Sequence, residues 1–332
     1  MSMFHTLCKN IFGIKNYYEG AKKYKIITVL GINFKFRVKY KKDVWSFVRN
    51  SVPCPIDNTV EPPREKVYLS VASIFKDEPD IIEWIEYHKI AGVERFYLYD
   101  NDSRDDYETI LKPYIDSGLV CYKKIHGQAM QRAAYKDAVY RYKDETEWLA
   151  IIDLDEYIVP VEKDDIKDYL KDFDQYPAAV ANWIMFDSNG VEKRTTDKTV
   201  IETYTRVHKD YQTEINRTVK SIVKPREVRF QNSAHTCIYK HNRLAKDENF
   251  NDFCGYVYFM TNKVSVNKIR INHYYCKSRE DYSAKINRGF ADQTRNRTYD
   301  ESVLNFKDTT NDYVIMKYAD RLKEQLKDVI HN

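Results

Sequence analysis

Short apolar runs alternate with amphipathic stretches from residue 66 onward. Strand-like runs cover residues 67–75, 95–99, 119–124 and 149–152. The stretch after the first run places Ile81, Ile85 and His88 on one face, which is the spacing of an amphipathic helix. We interpret His88 as a core histidine rather than a ligand. Strands separated by helices and short loops predict an α/β fold with an open, mostly parallel sheet and helices on both faces.

The second half and the two ends of the chain depart from this alternation. Residues 26–30 and 34–38 predict two short strands around a glycine turn, and the proline-rich residues 51–64 predict a linker. Strands after residues 178–186 are short, so we expect a mixed C-terminal part. Residues 312–330 have the pattern of an amphipathic helix. We therefore expect a hairpin preface and linker over residues 1–60, a main domain over 66–289 and a helical tail over 290–332.

Residues 148–160, WLAIIDLDEYIVP, carry an apolar strand into a group of carboxylates. Because side chains alternate along a strand, we expect Asp153 and Asp155 to point one way and Leu154 into the core. Paired carboxylates at a dry strand end repel each other, and a bound Mg²⁺ or Mn²⁺ offsets that cost. A solvated acidic strand end is the simpler explanation for a lone D-x-D. Glu156 shares the face of Leu154, so we expect it to support the site without binding a metal.

Two further polar clusters follow strands of the same predicted sheet. The first consists of Lys76, Asp77 and Glu78, and the second of Asp100, Asn101, Asp102 and Ser103. Ligands of such sheets bind beyond the carboxyl ends of the strands, so three clusters at that edge favour a binding site. Neither G-x-G-x-x-G nor G-x-x-x-x-G-K occurs. The phosphates of a nucleotide would therefore need a metal and basic side chains.

Residues 269–289, IRINHYYCKSREDYSAKINRG, predict a strand followed by a helix. Ser278 with Asp281 three residues later is a capping-box pattern. Basic side chains near one face of the helix are Lys277, Lys285 and Arg288. Such a face suits phosphate, although a solvated face held by an Asp281–Lys285 pair is the simpler explanation. His273, just upstream, is a third candidate metal ligand, and an imidazole favours Mn²⁺ over Mg²⁺.

Composition narrows the class of protein. The net charge is only +4, from 54 basic and 50 acidic residues, which disfavours nucleic acid as the main partner. The six cysteines are widely spaced without a C-x-x-C pair, which is typical of a reducing compartment. No run approaches the roughly 18 apolar residues of a membrane helix. We expect a cytoplasmic protein. Its N-terminal segment either docks on the protein or contacts the inner membrane face peripherally.

Several ordered motifs resemble glycosyltransferase family 92 and its bacterial, family-2-like relatives. They are VASIFKDEPDIIEWIEYHKIAGVERFYLYDNDSRDD, EWLAIIDLDEYIVP, NWIMFDSNG, KSIVKP and HYYCKSREDYSAKINRG. The resemblance implies a GT-A fold, which has a Rossmann-like sheet, a D-x-D metal site, a nucleotide-sugar donor and a C-terminal acceptor part. Uracil and ribose would be held at Lys76, Asp77, Glu78, Asp100, Asn101 and Ser103. The family's FGSSG motif stands here as residues 186–190, FDSNG, which is a departure on the acceptor side.

The resemblance also implies a mechanism. A divalent cation, Mn²⁺ or Mg²⁺, held by Asp153, Asp155 and His273 would stabilise the departing nucleoside diphosphate. Lys277 and Arg288 would assist it. Inversion at the anomeric carbon needs a general base, for which the candidates are Asp187 and His235. We expect transfer of a hexose from a UDP-sugar to a glycan or lipid-linked glycan in surface polysaccharide synthesis. The alternatives are a metal-dependent nucleotidyltransferase and a non-catalytic carbohydrate-binding protein on the same fold.

Overall fold

One large sheet of parallel and antiparallel strands forms the centre of the protein in a computed structural model. The structure describes residues 12–19, 22–29, 32–37, 64–195, 197–255 and 259–330. Before the large sheet come β1 (Phe12–Glu19), β2 (Lys22–Val29) and β3 (Ile32–Arg37). The later strands are β4 (Val67–Phe75), β5 (Arg95–Asp100), β6 (Val120–Lys124), β7 (Thr146–Ile151), β8 (Glu156–Pro160), β9 (Ala178–Met185), β10 (Arg206–His208), β11 (Val219–Val223), β12 (Val228–Gln231), β13 (Cys237–Tyr239), β14 (Ala245–Lys246), β15 (Asp252–Phe253), β16 (Ile269–His273) and β17 (Thr309–Asn311).

The helices lie mostly in the first half and at the C-terminal end of the described chain. They are α1 (Ile81–Ile90), α2 (Tyr107–Ile110), α3 (Lys112–Asp116), α4 (Gln131–Arg141), α5 (Ile166–Leu170), α6 (Val200–Thr203), α7 (Arg279–Arg288) and α8 (Ala319–Ile330). Short 3₁₀ turns cover Lys171–Phe173, Ile215–Arg217, Pro225–Glu227, Lys240–Asn242, Glu301–Val303 and Val314–Tyr318. Within the described ranges, no helix combines the length and the apolar character needed to cross a bilayer.

The order of strands in the large sheet is β15-β14-β9-β11-β7-β4-β5-β6. β4 pairs in parallel with β5 and β7, and β5 pairs in parallel with β6. β11 is antiparallel to both of its neighbours, β7 and β9. The predicted α/β class is confirmed, with a parallel first half and a mixed second half.

Strand register brings the carboxyl ends of β4, β5, β6 and β7 to one edge. Ala72 of β4 pairs with Ile151 of β7, and Phe75 pairs with Asp100 of β5. Asp100 in turn pairs with Lys124 of β6. The residues that follow these strands therefore meet at one edge of the sheet.

Both faces of the sheet are buried, as the continuous apolar runs predict. Along β7, Trp148 and Ala150 belong to one apolar core, whereas Leu149 and Ile151 belong to the other. α1 and α8 cover the first face, and α4 covers the second. Trp148 is completely buried, which stabilises the fold by about 2–3 kcal/mol relative to an exposed ring. Helices therefore lie on both faces, as expected.

β16 joins two strands that are distant from it in the sequence. It pairs antiparallel with β8 and in parallel with β9. His273, its last residue, is opposite Glu156 on one side and Met185 on the other. Asp155 immediately precedes β8, so this pairing brings His273 next to the acidic stretch.

The segments at the ends of the chain behave differently from one another. β2 and β3 are the predicted pair of strands, and β1 adds a third strand on the other side of β2. Of the predicted linker over residues 51–64, residues 51–63 lie outside the described residues. At the other end, the helix starts only at Ala319, and α8 packs against α1. Asp312 is buried and binds Arg270 of β16 through two hydrogen bonds, of 2.8 and 2.5 Å.

α1 ends where the predicted stop lies. Gly92 has a φ of +108°, a conformation that side chains other than glycine rarely adopt. A Cβ atom there would lie 2.0 Å from Oδ1 of Asp165. Because Gly92 has no Cβ atom, the start of α5 can pack closely against the end of α1. The predicted core role of His88 is confirmed, because its ring nitrogens contact the carbonyl of Trp84 and the amide of Ile158.

Candidate active site

A cavity of about 700 Å³ opens at the carboxyl edge of β4, β5, β6 and β7. Its polar lining includes Lys76, Glu78, Asn101, Gln131, Asp153, Asp155, His235, His273, Lys285, Arg288, Arg295 and Arg297. The cavity also has an aromatic wall, formed by Trp183 and Phe259. Its volume is within the range of small-molecule sites. A second cavity of about 680 Å³ adjoins it, and the residues that border both are Lys76, Glu78, Asp155, Tyr275, Lys285 and Arg288.

The acidic stretch is a turn between two strands, not part of one strand. β7 ends at Ile151 and β8 begins at Glu156, so Asp153 and Asp155 lie on the connection. Leu154 is buried in the core, as expected. Strand alternation does not hold in a turn, but both aspartates line the same cavity, as expected. Their carboxylates contact different partners.

Asp153 is bound by three side chains from other elements. Its Oδ1 accepts hydrogen bonds from Gln131 Nε2 at 2.7 Å and from the Tyr135 hydroxyl at 2.5 Å. Its Oδ2 accepts a hydrogen bond from Lys220 Nζ at 2.9 Å. Burial alone would raise the pKa of Asp153, but the Lys220 ammonium outweighs it and lowers the pKa below the usual value. The carboxylate is therefore held ionised and fixed in place.

Lys220 and Glu156 form a fully buried pair beneath Asp153. The Lys220 ammonium lies 3.3 Å from Glu156 Oε2, and both side chains are 0% exposed. Glu156 Oε2 also accepts the backbone N–H of Asp153 at 2.9 Å. Burial raises the pKa of Glu156 well above its usual value, with the Asp153 charge adding to the effect. Glu156 therefore stabilises the turn through the backbone N–H of Asp153, in the supporting role that we expected. Lys220 is a site residue that the sequence did not reveal.

Asp155 lies between a histidine and a lysine. Its Oδ2 is 3.5 Å from His273 Nε2, and the Lys285 ammonium donates to the same oxygen. Burial would raise the pKa of Asp155, but Lys285 and His273 hold it well below its usual value. Burial lowers the pKa of His273, so its imidazole is neutral, which is the form that binds metals. Asp155 and His273 are therefore brought together as the sequence predicted.

The donor atoms around Asp155 fit a divalent cation. A carboxylate oxygen and a neutral imidazole nitrogen 3.5 Å apart can share one ion, and the Lys285 ammonium stands in for a cation on that oxygen. The Asp153 carboxylate is paired with Lys220 instead. Across the described ranges, no group of three or more His, Cys, Asp or Glu side chains is arranged to hold a metal. Asp155 and His273 would therefore need ligands from a bound substrate.

Most side chains of the predicted donor cluster after β5 form hydrogen bonds that fix neighbouring loops. Asp100 accepts the backbone N–H of Ser103 at 2.9 Å and the hydroxyl of Tyr122 at 2.5 Å. Asn101 lines the cavity and donates to the carbonyls of Ile125 and Gly127. Asn101 is therefore the member of this cluster that is placed beside a ligand, and Asp100 and Ser103 shape its loop.

The cluster after β4 is divided between the two cavities. Lys76 and Glu78 border both of them, whereas Asp77 borders only the second. Asp77 has a φ of +50°, its backbone N–H donates to Ser103, and its carboxylate binds Arg104. The loop is therefore held in a specific shape, with Lys76 at the border of both cavities.

The two cations assigned to the donor phosphates are paired with carboxylates of the chain. Lys277 is buried and lies 2.6 Å from Asp80 Oδ2 and 3.6 Å from Glu78. It borders the second cavity, which Asp155 of the aspartate turn also borders, and it does not line the larger one. Arg288 borders both cavities and lies 2.7 Å from Glu78. The predicted capping box of α7 is confirmed, because Ser278 and Asp281 exchange hydrogen bonds. The predicted Asp281–Lys285 pair is replaced by the contact of Lys285 with Asp155.

The two candidate bases occupy different environments. Asp187 is completely buried and does not line the larger cavity. It binds Arg206 Nε at 2.8 and 2.9 Å and accepts the backbone N–H groups of Asn189 and Phe306. His235 borders the cavity. Its Nδ1 lies 3.1 Å from the Val219 carbonyl, so Nδ1 carries the proton and Nε2 is left to accept one. Only His235 is therefore placed to meet a substrate.

Two features of the cavity wall were not recognised in the sequence. The segment that follows α7 covers one side, where Arg297 donates to the Tyr275 hydroxyl at 2.8 Å and stacks over Phe290. Elsewhere in the lining, the rings of His235 and Phe259 are stacked 4.7 Å apart, beside Trp183. Phe259 is 43% exposed. Isolated arginines and aromatic residues carry no spacing signal, so only the fold reveals them.

Comparison with known sequences gives a consistent result. The family model of Glycosyltransferase family 92 matches residues 65–326. A family 92 protein of Ricinus communis is 27% identical over 129 residues, which are 38% of this chain and 23% of that protein. A family 92 protein of Oryza sativa subsp. japonica is 31% identical over 97 residues, 29% of this chain and 16% of that protein. The chain thus matches about a quarter or less of the length of these relatives.

Solved structures are more distant. Residues 1–349 of S. aureus TarS in complex with UDP are 14% identical, with a TM-score of 0.31 and coverage of 48% of this chain and 47% of that one. A putative glucose-1-phosphate thymidylyltransferase from Bacillus anthracis, in complex with a sucrose, is 13% identical, with a TM-score of 0.28 and coverage of 40% and 61%.

Proposed function

Because the chain belongs to glycosyltransferase family 92, we propose that it transfers a hexosyl group from a nucleotide diphosphate sugar, with UDP as the nucleotide, to a glycan acceptor. The family model covers most of the chain, including the cavity. One observation carries the proposal for this chain. It is the meeting of Asp155 and His273 at the wall of a 700 Å³ cavity beyond the carboxyl ends of the parallel strands.

Asp155 and His273 would hold the divalent cation, Mn²⁺ or Mg²⁺, and the donor phosphates would complete its ligand set. The bound ion would supply Lewis-acid stabilisation of the charge that develops on the leaving diphosphate. Asp153 has a separate task in this scheme. Its carboxylate is fixed by Lys220 and Tyr135 and faces the same cavity, where it can accept a hydrogen bond from the donor.

The transfer step needs a base and an exit for the leaving group. His235 Nε2 takes the proton of the acceptor hydroxyl as that oxygen bonds to the anomeric carbon. The bond from the anomeric carbon to the donor phosphate oxygen breaks, and its electron pair leaves with UDP. Attack from the face opposite UDP inverts the anomeric centre. Arg295 and Arg297, on the segment after α7, border the cavity and add positive charge near the departing diphosphate.

Turnover of nucleotide sugars tests this proposal. Purified protein is incubated with a panel of UDP-, GDP- and dTDP-sugars and Mn²⁺, and free nucleoside diphosphate is measured. We expect UDP release from one UDP-sugar, a loss of about 100-fold or more in Asp155→Asn, and no change in Asp116→Asn, which alters an exposed aspartate paired with Lys112. Full turnover in Asp155→Asn would contradict the role of Asp155.

The same assay separates the alternatives. Release of pyrophosphate instead of a nucleoside diphosphate would identify a nucleotidyltransferase. A donor-dependent rise in melting temperature without any product would identify a binding protein. We further propose that the acceptor belongs to surface polysaccharide synthesis at the cytoplasmic face of a membrane. Candidate acceptors are therefore compared as soluble glycans and as lipid-linked glycans.

A further inference from the structure

The Lys285 side chain takes the position next to Asp155 that a metal would need. Its ammonium donates to Asp155 Oδ2 and, at 2.8 Å, to the carbonyl of Tyr275. It also lies 3.9 Å from the centre of the Tyr275 ring, and the side chain is only 11% exposed. Lys285 lies on α7 and is 130 residues after Asp155 in the chain. This is a specific, well-enclosed contact and not a solvated surface pair.

The same carboxylate oxygen is the one that faces His273. Asp155 Oδ2 lies 3.5 Å from His273 Nε2, so these two atoms could hold one divalent cation between them. The Lys285 ammonium cannot stay on Oδ2 when a divalent cation binds there, because the two positive charges would be only a few ångströms apart. Lys285 and a metal therefore compete for one atom.

The charges around Asp155 are already balanced, which disfavours the binding of an additional cation. Asp153 is paired with Lys220 at 2.9 Å, and Glu78 is paired with Arg288 at 2.7 Å. With Asp155 paired to Lys285, each of these carboxylates at the cavity edge already has a basic partner. A divalent cation alone would add two uncompensated positive charges to this edge. A cation that arrives with a nucleoside diphosphate would bring its own negative charge.

We propose that Lys285 is an internal counter-ion that blocks Asp155 to a divalent cation until a nucleoside diphosphate binds, and then moves from Asp155 to the diphosphate. This inference rests on the proposed function, because it needs a diphosphate ligand in the larger cavity. Lys285 borders that cavity, so its ammonium can reach a ligand there while α7 stays in place. Metal and nucleotide then bind cooperatively, each raising the affinity for the other by the same factor.

Binding of Mn²⁺ to the whole protein tests this directly, through the electron paramagnetic resonance signal of free Mn²⁺. In the wild-type protein we expect the Kd for Mn²⁺ to be about tenfold lower with saturating UDP than without it. In Lys285→Met, which removes the charge and keeps the length, Mn²⁺ binding without UDP should tighten about tenfold. UDP should then increase the affinity by a smaller factor than in the wild type, through its phosphate ligands alone. Lys285→Arg should behave like the wild type.

Lys124→Met is the matched control, since Lys124 is exposed, pairs with Glu108 and does not line either cavity. Its Mn²⁺ affinities should equal those of the wild type. Equal Mn²⁺ affinity with and without UDP in the wild-type protein would overturn the inference even if Lys285→Met failed to fold. An unchanged UDP-free Kd in a folded Lys285→Met would overturn it as well. Absence of UDP binding under every condition would instead contradict the proposed function.

Discussion

The ammonium of Lys220 lies 2.9 Å from the carboxylate of Asp153, at a point where the lysine side chain is completely buried. Lys220 is on β11, the antiparallel strand inserted between β7 and β9. A buried lysine keeps its charge only beside a carboxylate, and here Asp153 and Glu156 raise its pKa although burial alone would lower it. The turn that carries Asp153 and Asp155 is therefore fixed by an ion pair below the cavity floor.

Lys220→Met should destabilise the protein strongly. Removal of the ammonium leaves the Asp153 carboxylate, which is 28% exposed and so partly screened by water, without its partner, which costs about 2–3 kcal/mol. Chemical denaturation with urea measures this loss. The control is Glu156→Gln, which should cost less, because burial raises the pKa of Glu156 and so disfavours its charged form, and an amide has nearly the same shape. Equal losses of stability in the two variants would contradict the conclusion that Lys220 forms its ion pair mainly with Asp153.

His235→Gln should impair turnover while leaving the binding of UDP almost unchanged. A general base contributes about 10²- to 10⁴-fold to such a step, so kcat should fall in that range. Calorimetry of UDP binding supplies the second measurement. His126→Gln is a suitable control, since that histidine is exposed and pairs with Asp102. A fall in UDP affinity that matches the fall in kcat would show that His235 holds the donor.

The pH profile gives an independent check on His235. Burial, with Lys220 nearby, lowers the pKa of this histidine to about 3. The imidazole therefore stays neutral from pH 5 to pH 8, and we expect no inflection in kcat that depends on His235 in that interval. An inflection near pH 6.5 that disappears in His235→Gln would show instead that the ring titrates like an exposed histidine.

Asp187→Asn should reduce stability and leave the turnover of folded protein unchanged. The carboxylate of Asp187 is fully buried against Arg206, whose side chain is 28% exposed and so partly screened by water. We therefore expect a loss of about 2–3 kcal/mol, below the cost for a fully buried pair. Urea denaturation and kcat are measured on the same sample. A large fall in kcat without a loss of stability would instead support Asp187 as the general base.

Glu83 should make stability depend on pH near neutrality. Its carboxylate accepts the backbone N–H of Val200 at 2.8 and 2.9 Å, and burial raises its pKa to about 7 from an ordinary 4.5. Between these values the folded state keeps a proton that the unfolded state has lost. Stability therefore falls as the pH rises through this interval, by about 3 kcal/mol in total.

In Glu83→Gln the side chain at this position can no longer bind or release a proton. We expect the free energy of unfolding of the variant to fall less between pH 5 and pH 7.5 than that of the wild type. Glu280→Gln, which changes an exposed glutamate beside Lys193, should follow the wild-type curve. Parallel curves for wild type and Glu83→Gln would contradict the raised pKa.

Sequence patterns predict the sheet well because periodicity reflects burial. The apolar runs of β4, β5, β7 and β9 each form a buried strand, and the capping box of Ser278 starts α7 as expected. The meeting of His273 with Asp155 also follows the prediction, although it depends on a strand pairing over more than 100 residues.

Other features of the site have no local signal. The turn at Asp153 and Asp155 has the composition of a continuing strand, because the apolar pattern resumes at once in β8. Lys220 looks like an exposed lysine in a short polar strand, and only the insertion of β11 beside β7 buries it. Pairing preferences of this kind are set by tertiary contacts, which periodicity does not encode.

The position of β16 between β8 and β9 has a consequence for biosynthesis. Strands β4 to β9 are complete by residue 185, but His273 reaches Asp155 only when residues 269–273 have docked. Until then, during elongation on the ribosome, the edge of β8 that will receive β16 lacks that neighbour, and the acidic turn lacks its imidazole. Non-local pairings of this kind fold slowly. A nascent chain that stops short of residue 269 would expose a strand edge prone to aggregation and would lack His273 beside Asp155.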